Sequence, residues 1–121
     1  MPIYSSERKW ESPLSVSEAL RGLEQAINEL PRSRITEAKK DGLSALAGSA
    51  FRSRFFGLSL PRGRANFPMK ISAQVELLDD HTGITVSVYG GLDRWISFGI
   101  VEKVFDDQLS ILISRMKALT R

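Results

Sequence analysis

The sequence predicts an α+β fold: a two-layer sandwich with both helices on one face of an antiparallel sheet. Two observations carry this. Apolar residues recur at helical spacing near each end of the chain, at Val16, Leu20, Leu23, Ile27 and Leu30 and again at Val101, Phe105, Leu109, Leu112, Met116 and Leu119. Between them, Met69, Ile71, Ala73, Val75 and Leu77 alternate with Lys70, Ser72, Gln74 and Glu76, which is a strand with one apolar face. A sheet with one apolar face needs a cover, and two helices with apolar stripes need somewhere to bury them.

Residues 1–14 show no clear periodicity and read as a lead-in segment pinned by Trp10, ahead of a single domain over 15–121. Ser15 and Glu18 fit a capping box, the serine hydroxyl accepting from the Glu18 amide and the carboxylate returning the bond. Together with Pro31, this sets a first helix at about 15–30.

Asp41-Gly42 signals a hairpin, because glycine accepts the positive φ of a tight turn. One strand precedes it over Arg34–Lys39. A second follows it from Leu43, with Gly48 marking a bulge or a close approach. A short helix over Leu43–Ala50 is the competing reading, since Ala and Leu favour helix.

Pro61-Arg62-Gly63 and Phe67-Pro68 break the chain, and 57–68 reads as a long loop. After the Met69–Leu77 strand, Asp79-Asp80-His81-Thr82-Gly83 forms a five-residue loop into a strand alternating at Ile84, Val86 and Val88. Gly90-Gly91 then punctuates the chain. Residues 92–98 are either a short further strand or the entry to a long final helix, so the meander has four or five strands. That helix carries acids early (Glu102, Asp106, Asp107) and bases late (Arg115, Lys117, Arg121), as its dipole prefers.

The chain's 121 residues can bury a sizeable core without staples. It has no cysteine, which excludes disulfides, thiolate zinc sites and a cysteine nucleophile. It has neither a signal-like apolar segment nor an apolar run long enough to span a bilayer. A cytoplasmic protein with no transmembrane segment is expected.

The net charge of +3 is unevenly spread. Residues 32–70 hold nine basic and two acidic side chains, netting +7, while the rest of the chain nets −4. Such asymmetry steers an anionic partner, although a solvated face has the same appearance.

The basic span contains the chain's most unusual stretch, FRSRFFGLSLPRGRANFP, residues 51–68. On a strand, Arg52 and Arg54 share one face and Phe51 and Phe55 the other. Arg62 and Arg64 follow in the loop. Guanidinium forks suit phosphates and carboxylates. Phe56 and Phe67 either pin the loop into the core or stand beside the arginines as an apolar patch flanked by cations.

No catalytic constellation is visible. The single histidine, His81, sits between acids and turn residues, where turn chemistry explains it better than metal binding or proton transfer. Gly90-Gly91 is no phosphate-binding fingerprint. Asp93 caps a helix and Trp95 closes the core in the simplest reading of that cluster. No cofactor and no metal are expected.

Two functions remain open. The first is a small non-catalytic binding or adaptor domain gripping an anionic protein, nucleic acid or lipid surface through Arg52, Arg54, Arg62, Arg64, Phe56 and Phe67. The second is a small-molecule-binding domain with an apolar pocket between the sheet and the C-terminal helix, the 57–68 loop serving as its lid. Ile100, Ile111 and Ile113 widen the final helix's apolar surface enough to admit a homodimer.

Overall fold

The computed structural model describes residues 4–30, 32–48, 68–90 and 100–121. In chain order they form β1 (Tyr4–Ser12), α1 (Val16–Asn28), β2 (Arg34–Lys39), β3 (Gly42–Ala47), β4 (Met69–Leu77), β5 (Thr82–Gly90) and α2 (Ile100–Leu119). The strands make one antiparallel sheet in the order β1-β5-β4-β3-β2, with both helices on one face. This is the expected α+β sandwich.

The capping box sets the start of α1. Ser15 is extended and accepts from the Glu18 amide at 3.3 Å. The reciprocal bond differs from expectation, because the Ser15 hydroxyl donates to the Glu18 carboxylate at 3.1 Å. Ala19, Leu23, Ala26 and Ile27 are fully buried on the face towards the core. The Asp41-Gly42 hairpin also forms, pairing β2 with β3 and shifting register between Ile35 and Glu37. The short-helix alternative for Leu43–Ala50 does not hold over β3. Gly48 follows that strand with φ 80°, so it serves a left-handed turn and not a bulge.

The fifth strand lies in a place the sequence did not signal. The segment read as a lead-in contains β1, which pairs along its whole length with β5, from Tyr4 opposite Gly90 to Ser12 opposite Thr82. The expected five-residue loop between β4 and β5 is shorter, because Thr82 and Gly83 already pair with Leu77 and Glu76. Residues 92–98, the other place for a fifth strand, and the loop 57–67 lie outside the described residues.

The inner face of the sheet is apolar on its three middle strands: Leu43, Ala45 and Ala47 on β3, Met69, Ile71, Ala73 and Val75 on β4, and Ile84, Val86 and Val88 on β5 are all buried. From α2 come Val104, Phe105, Leu109, Leu112, Ile113 and Met116. The two helices meet closely at Gly22, where a Cβ would stand 2.6 Å from the Leu119 carbonyl oxygen. Ile113 belongs to the core, whereas Ile111 stays 44% exposed. The side chain of Ile100 lies outside the described set.

Candidate functional site

All six residues expected to grip a partner, Arg52, Arg54, Phe56, Arg62, Arg64 and Phe67, lie outside the described residues, as do Asp93, Arg94 and Trp95. What the structure fixes is where these stretches attach. Residues 49–67 leave after β3 and return to β4, whose facing ends are the pair Ala47 and Met69. Residues 91–99 leave after Gly90, which pairs with both Met69 and Tyr4. Both stretches are therefore tethered to the same end of the sheet.

The opposite end is sealed by a buried polar network. Thr82 donates its hydroxyl to the Leu14 carbonyl at 2.6 Å. Ser12 donates to the Thr120 carbonyl, and the Leu14 amide donates to the Ser12 hydroxyl at 3.2 Å. The Trp10 indole nitrogen donates to the Thr120 hydroxyl at 3.0 Å, and that hydroxyl donates to the Met116 carbonyl at 2.7 Å. Lys117 Nζ stands 5.9 Å from the centre of the Trp10 ring. Ser12, Thr82 and Thr120 are the buried polar side chains among the described residues, and each is hydrogen-bonded here, as burial requires. These bonds join β1, β5, the entry to α1 and the end of α2.

An α-helix rises ~1.5 Å per residue, which puts Val104 ~24 Å from Thr120. The N-terminal part of α2, with Val104 and Phe105 buried, is thus far from the seal. Its buried residues belong to the same single core as the inner face of the sheet.

His81 closes the outside of the sealed end. Its Nδ1 lies 2.7 Å from Asp80 Oδ1. Its Nε2 lies 3.3 Å from Glu11 Oε1 on β1, close enough for an ion pair but off the line of a hydrogen bond. The Asp80 bond raises the imidazole pKa above its ordinary value of 6.5. Partial burial opposes the rise and the Glu11 charge adds to it. The same bond to His81 lowers the Asp80 pKa. The histidine thus clips β1 to the β4–β5 turn. Among the described residues no three His, Asp or Glu side chains are placed to hold a metal.

A groove of about 740 Å³ wraps the tip of the β2–β3 hairpin, from Lys39 to Leu43, beside Gln74–Leu77 of β4. It is open and largely polar, and Glu37 and Lys39 within it pair at 2.8 Å. It does not lie between the sheet and α2, where an apolar pocket was expected. No helix among the described residues is long and apolar enough to cross a membrane.

No protein-family model matches the chain, and no curated protein matches its sequence. Solved structures do match. The crystal structure of Ara h 8.0201 is similar at a TM-score of 0.52 and 10% identity, over 98% of this chain and 98% of that one. The crystal structure of TTHA0849 from Thermus thermophilus is similar at a TM-score of 0.46 and 9% identity, over 98% and 97% of the two chains. At such identity the first likeness is one of fold alone, and the second is weaker still.

Proposed function

We propose that the protein is a non-catalytic binding domain that holds a small apolar molecule between the inner face of its sheet and the N-terminal half of α2. The observation that carries the reading is the difference between the two ends of the sandwich. One end is locked by the Ser12, Thr82 and Thr120 hydrogen bonds. At the other, an apolar inner face ending in Ala47, Met69 and Val88 meets the attachment points of both long connections. A ligand enters at that end. The helix-grip-like architecture, a long helix held against an antiparallel sheet, is consistent with this use, although a fold by itself assigns no function.

The test is fluorescence titration with a naphthalene-sulfonate dye, displaced by laurate. Saturable dye binding that laurate competes away is expected, with loss of both in Val88→Trp, whose indole adds bulk to the inner face where Val88 is fully buried. Dye binding that persists unchanged in a folded Val88→Trp protein would contradict it.

The net +7 of residues 32–70 favours a second reading, an anionic partner gripped by Arg52, Arg54, Arg62 and Arg64 beside Phe56 and Phe67. Replacing the four arginines with glutamine then abolishes a salt-sensitive interaction and leaves dye binding intact.

A further inference from the structure

We infer that the outer face of the sheet docks on an anionic membrane surface through one cross-strand row, Arg34–Leu46–Lys70–Tyr89. The register places these four side by side. Arg34 is opposite Leu46, Leu46 opposite Lys70, and Lys70 opposite Tyr89. At ~4.8 Å between strands the row spans about 14 Å.

All four point away from the core. Arg34 and Lys70 are exposed, Leu46 is 37% exposed and Tyr89 is 46% exposed. Neither cation takes part in an ion pair or a side-chain hydrogen bond among the described residues. The nearby acids Glu37 and Glu7 are instead engaged by Lys39 and Lys9. The next row along the sheet is Glu37–Ser44–Ser72–Ser87–Glu7, with its two acids on the outer strands held by Lys39 and Lys9. Its three central serines are short and leave Leu46, Lys70 and Tyr89 standing clear beside them.

The order of chemistry selects the partner. Cation, aliphatic, cation and tyrosine alternate. Arg and Lys reach lipid phosphates while their stems lie along apolar surface. Leucine and tyrosine suit the boundary between headgroups and acyl chains. A nucleic-acid strand has no use for Leu46, and this row offers it one ring for stacking where single-strand binders present successive aromatics. Both cations also belong to the span that nets +7. The surface is independent of the interior reading: Val88→Trp, which adds bulk to the interior, binds vesicles like the native chain.

The experiment is co-sedimentation of the whole chain with phosphatidylcholine vesicles, with and without phosphatidylserine, at low and high salt. Binding is expected only with phosphatidylserine, and it weakens as salt rises. Arg34→Gln and Lys70→Gln each weaken partitioning about fivefold. Leu46→Ser and Tyr89→Ser weaken it further while leaving its salt dependence unchanged. Circular dichroism confirms that these surface variants are folded. The inference is overturned by absence of binding to phosphatidylserine vesicles, by equal binding to phosphatidylcholine alone, or by native-like binding of a folded variant carrying all four substitutions. Binding to a single-stranded oligonucleotide in place of the vesicles overturns it as well.

Discussion

At the scale of single residues, a few side chains decide how the ends of the chain are tied. Thr120 receives the Trp10 indole hydrogen and passes its own hydrogen to Met116. Thr120→Val keeps the shape and leaves the indole without its acceptor, so urea denaturation should show a loss of about 1–3 kcal/mol. Gly22 is under a different constraint. An alanine there gains helix propensity of about 1 kcal/mol. Its methyl, however, meets a backbone carbonyl of α2 at 2.6 Å, and a backbone cannot rotate away. Overpacking of this kind costs ~1–3 kcal/mol, so Gly22→Ala is expected to lower the thermal midpoint.

His81 gives a pH signature. Its folded pKa is raised, so its contribution is complete below the ordinary 6.5 and fades as pH rises through the folded value. Asp80 is lowered, so its contribution is complete above the ordinary 3.8 and fades as pH falls through its folded value. The clip is therefore strongest in the window between those two ordinary values. His81→Gln should destabilise the protein more at pH about 5.5 than at pH about 8.5. An equal effect at both would show that the clip carries no charge.

At the scale of elements, legibility followed amphipathicity. The helix α1 and the strands β4 and β5 each have one apolar and one polar face, and their spacing alone revealed them. Ser15 opens α1 as its neighbours predict, and Ser15→Ala should cost about 1 kcal/mol by denaturation. The strand β1 was illegible because its inner face reads Ser6, Arg8, Trp10, Ser12, opposite Val88, Val86, Ile84 and Thr82. Only Trp10 and the sealing Ser12 pack inwards. Arg8 is exposed on the core side, where a charge discourages a further strand from adding to this edge. Strand identity there comes from pairing with β5, a long-range contact that no local period encodes. The candidate site was legible only as chemistry, in the Arg and Phe clustering of residues 51–68. The row Arg34–Leu46–Lys70–Tyr89 went unseen for the same reason as β1: four residues on four strands meet only through register.

At the scale of the whole molecule, the chain is closed by its own ends. The first strand covers the edge of β5, and the last helical turn is bonded to Trp10 and Ser12 on that strand. Removing Tyr4–Ser12 uncovers the β5 edge and takes away both hydrogen-bond donors to Thr120, the Trp10 indole and the Ser12 hydroxyl. The truncated chain should aggregate or lose cooperative unfolding, read by size-exclusion chromatography and circular dichroism. A monomer with an unchanged thermal midpoint would mean that β1 is dispensable. The same closure gives the sandwich its direction, sealed at Thr82 and joined to both long connections at Gly90.

On the function proposed above, this direction serves to admit an apolar ligand between the sheet and α2. A methyl-resolved NMR titration with laurate tests it most directly. Saturable shifts of the Met69, Val88 and Val104 methyl groups are expected, with those of Leu14 and Val16 at the sealed end unmoved. Shifts confined to surface methyls such as Leu46, or absence of any shift, would contradict it.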